Sequence, residues 1–205
     1  MSVRVKICGV TSIEDAVAAV EAGADAIGFM FYERSPRYVS TNTASSIKNA
    51  LPPFVARVGV FADATENAIR SAMLCGLSAL QFHGNEAPEF VKRFLPITTI
   101  KAFRIQNAAS LSLLASYNTS AWLLDSYTPA QLGGTGNTFN WDLAFRARKL
   151  GRPIILAGGL NPDNVADAVR KVRPYAVDVS SGVESSPGKK DPAKIAAFIQ
   201  AAKSA

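Results

Sequence analysis

Eight times along this chain a short run of β-branched and apolar residues gives way to a stretch with helical spacing. The runs are Val3 to Cys8, Asp25 to Met30, Phe54 to Phe61, Ala79 to Phe82, Thr98 to Phe103, Ala121 to Asp125, Pro153 to Ala157 and Tyr175 to Val179. Their starts lie roughly 25 residues apart, the length that a strand, a helix and two short loops occupy. Runs rich in Val, Ile and Leu, each followed by a helix, call for a parallel sheet with helices over its outer face. Eight such units use the whole chain and close into a single (β/α)8 TIM barrel, and 205 residues read as one domain, 1–205. A doubly wound open sheet is the alternative.

The helices carry start signals. Thr11-Ser12-Ile13-Glu14 offers a capping hydroxyl with a glutamate close behind, and Thr65-Glu66 opens the third helix. Asn161-Pro162-Asp163 and Asp191-Pro192 each put proline at a first helical position. Ile13, Ala16, Val17 and Val20 follow the helical period, as do Ile195, Phe198 and Ile199. The fifth unit is the exception, because serine-rich Asn107 to Ser116 predicts a short or irregular helix.

Composition narrows the function. No run of about 18 apolar residues suggests a membrane span, and the opening MSVRVKICGV has no secretory signal, so a cytoplasmic location is expected. Two cysteines make no disulfide framework, so the Asn118-Thr119-Ser120 sequon is set aside and Cys8 and Cys75 are read as free thiols. One histidine and no CxxC disfavour a metal site. A net charge of +6 favours anionic ligands, but the 22 basic residues form no block, which fits a small anionic molecule better than a nucleic acid.

Closed parallel barrels bind ligands at the carboxyl ends of their strands. Cys8 ends the first run, and alternation puts it on the face of Lys6, a cation that would lower the thiol pKa toward that of a proton acceptor. The alternative is a small buried hydrophobe, the reading given to Cys75. Asp125 ends an apolar run, where burial would raise its pKa and suit it to general-acid work; otherwise it caps the glycine-rich loop Leu132 to Asn137. Asp178 orients a substrate hydroxyl or amine, or pairs with Lys6 or Lys101 across the barrel. Arg37 could clamp a carboxylate or stay solvated, and His83 could contact a ligand or bond neighbouring loops. Two glycine-rich strand ends, Ala157-Gly158-Gly159-Leu160 and Ser180-Ser181-Gly182-Val183, have the placement and flexibility of a phosphate site. Neither a Walker motif nor a GxGxxG follows a strand, which disfavours nucleotides.

Together, Lys6-Ile7-Cys8-Gly9, Ser35-Pro36-Arg37-Tyr38, Gln81-Phe82-His83-Gly84, Leu124-Asp125, Gly133-Gly134-Thr135-Gly136, Ala157-Gly158-Gly159-Leu160 and Asp178-Val179-Ser180-Ser181-Gly182-Val183-Glu184 resemble the phosphoribosylanthranilate isomerase family of tryptophan biosynthesis in order and spacing. The resemblance implies rearrangement of a phosphorylated aminoaldose to an aminoketose without cofactor or metal. It implies Cys8 as base, Asp125 as acid, Arg37 on the anthranilate carboxylate, and Gly158, Gly159, Ser180, Ser181 and Gly182 around the phosphate. His83 and Asp178 count as further substrate-binding positions, in a monomer or homodimer with no nucleic-acid or membrane partner. Asn137 and Asn140 depart from the charged residue and aspartate common in relatives. Three competitors are weighed against it. The histidine-pathway isomerases, including those serving both pathways, carry aspartate in place of Cys8. Metal-dependent pentose-phosphate epimerases need several histidines, and a non-catalytic phosphate-binding module would have lost the acid or the base.

Overall fold

A computed structural model describes residues 2–105, 107–126 and 141–205. Eight parallel strands form a closed barrel in chain order: β1 Arg4–Cys8, β2 Ala26–Met30, β3 Ala56–Phe61, β4 Ala79–Phe82, β5 Thr98–Ile105, β6 Ala121–Ser126, β7 Ile154–Leu156 and β8 Ala176–Val179. Pairing of β1 with β8, Arg4 opposite Ala176 and Lys6 opposite Asp178, shuts the sheet on itself and excludes the open-sheet alternative. Helices α1 Ile13–Glu21, α2 Thr41–Asn49, α3 Glu66–Met73, α4 Pro88–Lys92, α5 Trp141–Arg148, α6 Val165–Val172 and α7 Pro192–Lys203 lie between and after the strands. Between β5 and β6 the serine-rich stretch forms a 3₁₀ segment, Ala108–Ser116, the irregular unit its sequence predicts.

Local chemistry explains most helix starts. Ser12, Thr65 and Asp191 accept hydrogen bonds from the first-turn amides of α1, α3 and α7, and Pro192 stands at the start of α7. Pro162 does not open α6 as expected. Asn161 Oδ1 accepts from the amides of Asp163 and Asn164, so Pro162 sits in an Asx turn and the helix begins at Val165. The chain after β8 holds elements the sequence did not suggest: a 3₁₀ turn Ser181–Val183 and a small antiparallel hairpin, β9 Glu184–Ser186 with β10 Lys189–Lys190.

The core divides at the sheet. Outward residues such as Ile7, Ile27, Leu124, Leu156 and Val179 pack against Ala16, Ala44, Ala144, Ala168 and Phe198 of the helices. Phe61, Phe82, Phe90 and Phe94 fill the space under α3 and α4, and Phe31 stacks on Phe61 at 5.3 Å. Inside the barrel, small and branched residues meet: Val58, Ala79, Ile100, Ala102, Ala121, Leu123, Ile155, Ala157 and Ala176. Alternation from these positions aims Gln81, Asp125 and Asp178 at the barrel axis, higher toward the mouth.

One layer of the interior is ionic. Lys6 Nζ donates to Asp178 Oδ1 at 2.9 Å, with both side chains buried. Burial disfavours the Lys6 ammonium, but Asp178 and Cys8 together outweigh it, and the pKa stands above the ordinary lysine value. Lys101 is not Asp178's partner; it turns outward to Glu86 and to the carbonyls of Phe82 and Gly84. Lys6→Met should therefore lower the unfolding free energy by about 3–5 kcal/mol, the cost of a buried charge stripped of its partner. Urea unfolding reads this as a lower midpoint at unchanged slope, and a loss under about 1 kcal/mol would mean that the pair behaves as a solvated one.

Candidate active site

At the carboxyl ends of the strands a cavity of about 300 Å³ is lined by Cys8, Arg37, His83, Asp125, Asp178, Gly158, Gly159, Ser180, Ser181 and Gly182. All ten candidate residues thus meet around one space. A larger cavity of about 900 Å³ adjoins it, sharing His83 and bordered by Tyr32, Arg34, Arg104 and Tyr117. Its walls hold neither the thiol nor the glycine loops, so the smaller space is where the chemistry can converge.

Cys8 is 5% exposed at the end of β1, opposite Gly28 of β2. A Cβ on Gly28 would stand 2.8 Å from the Cys8 sulfur and 3.1 Å from Lys6 Cε, so a strand-interior glycine makes the room these side chains occupy. The thiol stands among the cations Lys6, Arg37 and Lys190 and the carboxylates Asp178 and Glu184. A thiolate would balance that set. Burial nonetheless dominates and pushes the Cys8 thiol up, helped by Asp178 and opposed by Lys6 and Lys190. Lys6 does pull the thiol down as expected, but the net shift is upward, and the expectation is corrected on this point because burial outweighs the cation.

Asp125 is the last residue but one of β6 and pairs with the histidine that follows β4. His83 Nε2 lies 3.1 Å from Asp125 Oδ2, and His83 Nδ1 lies 2.9 Å from the Gln81 amide nitrogen. The Asp125 side chain is 28% exposed, so the expected burial of this carboxylate does not hold; it is a half-open group facing the cavity with a partner at its side. With the Gln81 amide nitrogen, a donor only, facing Nδ1, that ring nitrogen accepts and Nε2 carries the proton donated to Asp125. His83 is the sole histidine in the sequence, so long-range nitrogen–proton NMR reads this tautomer directly. The Nε2–H tautomer is expected; the Nδ1–H tautomer would contradict the arrangement.

The two glycine loops meet closely. Gly158 and Gly159 adopt φ of 80° and 66°, a region that disfavours side chains, and a Cβ on Gly182 would collide with the carbonyl oxygen of Leu160. Ser180 Oγ is buried with no hydrogen-bond partner among the described residues. A buried hydroxyl at a cavity wall is costly unless a ligand atom satisfies it, and a phosphate oxygen would.

Arg37 is not the free clamp the sequence suggested. Its Nε and Nη2 donate to the two carboxylate oxygens of Glu184 at 2.8 and 2.6 Å. Glu184 in turn accepts from Lys190 Nζ at 2.9 Å, and the Lys190 side chain is fully buried. Neither Glu184 nor Lys190 stood out as a site residue in the sequence.

Residues 5–201 match the family described as N-(5'phosphoribosyl)anthranilate (PRA) isomerase. The chain belongs to this family. Among phosphoribosylanthranilate isomerases, that of Citrifermentans bemidjiense is 55% identical over 204 residues, 98% of this chain and 97% of its own. The crystal structure of the Thermotoga maritima isomerase superposes with a TM-score of 0.93 at 47% identity, covering 99% of this chain and 100% of that one. A phosphoribosylanthranilate isomerase crystallised with reduced 1-(o-carboxyphenylamino)-1-deoxyribulose 5-phosphate gives 0.90 at 43% identity, covering 99% and 100%. The glycine-rich loop Leu132 to Asn137 and the departures Asn137 and Asn140 lie outside the described residues. Gly28, within the second strand, is the signal that could have pointed to a crowded Cys8.

Proposed function

We propose that this chain rearranges N-(5'-phosphoribosyl)anthranilate to 1-(2-carboxyphenylamino)-1-deoxyribulose 5-phosphate, an aldose-to-ketose isomerisation in tryptophan biosynthesis. The observation that carries the reading is one cavity lined at once by a thiol, a carboxylate and two glycine loops suited to an anion. The phosphate anchors at Gly158, Gly159, Ser180, Ser181 and Gly182, and the ribose then spans the mouth between β1 and β6. Asp125 gives a proton to the ring oxygen as the C1–O bond breaks, which leaves an open-chain iminium. Cys8, as thiolate, takes the proton from C2, and those electrons form an enolamine that tautomerises to the ketone. Only protons move, so the steps call for neither redox cofactor nor metal. His83 orients Asp125, Asp178 faces the sugar beside Cys8, and Arg37 meets the anthranilate carboxylate.

Residues 1–205 act here as one catalytic unit. Every proposed group comes from a single copy, so the reading holds for a monomer or a homodimer. A cytoplasmic location goes with it, since a thiol base needs a reducing compartment. No helix among the described residues is long and apolar enough to cross a membrane. The test is the fluorescence change as phosphoribosylanthranilate is consumed by purified protein without added metal or cofactor. Turnover is expected; phosphate-ligand binding without turnover would make the chain a binding module instead.

A further inference from the structure

The hairpin after β8 is tied down from three sides. Thr11 Oγ1 donates to the Gly188 carbonyl at 2.6 Å, Asp15 Oδ2 accepts from the Lys190 amide at 3.0 Å, and Glu184 takes the Arg37 fork. Lys190 Nζ also donates to the Ser180 carbonyl, at 3.2 Å, in the loop proposed for the phosphate. A charged line therefore runs from buried Lys190 through Glu184 to Arg37, whose side chain crosses Gly9 and borders the cavity beside Cys8. A Cβ on Gly9 would stand 2.6 Å from Arg37 Cδ.

A guanidinium is planar and has two edges that can each bind a carboxylate. Glu184 occupies the Nε/Nη2 edge, and Nη1 makes no hydrogen bond to any described residue. We propose that Glu184 is a positioning residue for the substrate carboxylate: it fixes Arg37 by one edge, so that the other, with Nη1 and the second Nη2 hydrogen, is held ready for the anthranilate carboxylate. Lys190 supplies the buried counter-charge that keeps Glu184 an acceptor for Arg37. The arrangement orders a long flexible side chain before the ligand arrives, and the rigid plane sets the direction of the free edge from that of the bound one. This rests on the reading that Arg37 meets the carboxylate.

The test compares two substrates in the same protein: phosphoribosylanthranilate and the corresponding aniline compound, which lacks the carboxylate. Glu184→Gln should lose about tenfold or more in kcat/KM on the anthranilate substrate, chiefly through KM, the scale of a charge-assisted hydrogen bond. On the aniline substrate the loss should be clearly smaller, so that the anthranilate-to-aniline ratio of kcat/KM falls. Equal losses on both would mean a merely structural role, and no loss on either would mean that Arg37 needs no support; both results overturn the proposal. Should Glu184→Gln fail to fold, Glu184→Asp keeps the charge facing Lys190 but withdraws it from Arg37, and the same ratio is read. Arg37→Ala on the same pair separates the premise. If its loss is equal on both substrates, the carboxylate does not bind at Arg37, whatever Glu184 does.

Discussion

Cys8→Ser should lower kcat for the isomerisation by about 10²- to 10⁴-fold with KM little changed, the usual contribution of a positioned general base. The substitution removes one polarisable atom from a site whose size is set by Gly28, so it leaves the fold intact. What it removes is acidity: a serine hydroxyl does not ionise near neutral pH, whereas a thiol can. The parent enzyme should show the same dependence as a function of pH. Burial, more than any charge, pushes the Cys8 thiol above its ordinary value, with Lys6 and Lys190 opposing and Asp178 assisting. A raised pKa means that the proton leaves later, so kcat/KM should climb with pH through neutrality, and its rising limb should have a midpoint above that of an unperturbed thiol. A limb centred below that value would show that the cations, not burial, govern the sulfur.

Asp125→Asn should be nearly as damaging, again about 10²- to 10⁴-fold in kcat, because an amide cannot deliver a proton to the ring oxygen. The loss separates from instability. The amide oxygen still accepts from His83 Nε2–H, so the histidine keeps its place and the unfolding transition should not move. A variant retaining parent-like turnover would transfer the acid role to another group on the same rim.

How much of this was legible in the residues follows physical range. The eight strands could be read because alternation and apolar runs are local, and only their ends moved: β5 continues to Ile105 and β7 begins at Ile154. Cys8, Asp125 and the glycine loops could be picked out as candidates because they stand at or next to strand ends, and Arg37 because it lies in the loop that follows β2. Electrostatics was less accessible. Lys6 is two residues from Cys8 and can be read locally, but the burial that outweighs it is made by the closed barrel, and Asp178, which assists, arrives from 172 positions along the chain from Lys6. The exposure of Asp125 depends on how the strand ends splay at the mouth. The hairpin of β9 and β10 is too short to show any period, and Lys189-Lys190 looks like an ordinary solvated pair. In the fold one of the two is exposed and the other is among the most buried side chains, anchored by the backbone contact to Asp15. Pro162 followed a sound rule to the wrong position because the Asn161 side chain captured the turn first.

The most direct measurement is a crystal structure of this enzyme with a reduced, non-reacting analogue of the aminoketose product. The sulfur of Cys8 should be in contact with the ribulose carbon corresponding to C2, with an Asp125 oxygen within about 2.6–3.2 Å of the former ring oxygen and on the opposite side of the sugar. An analogue seated with its phosphate in the glycine loops, but with either side chain out of reach of the sugar, would contradict the assignment of these two groups as base and acid.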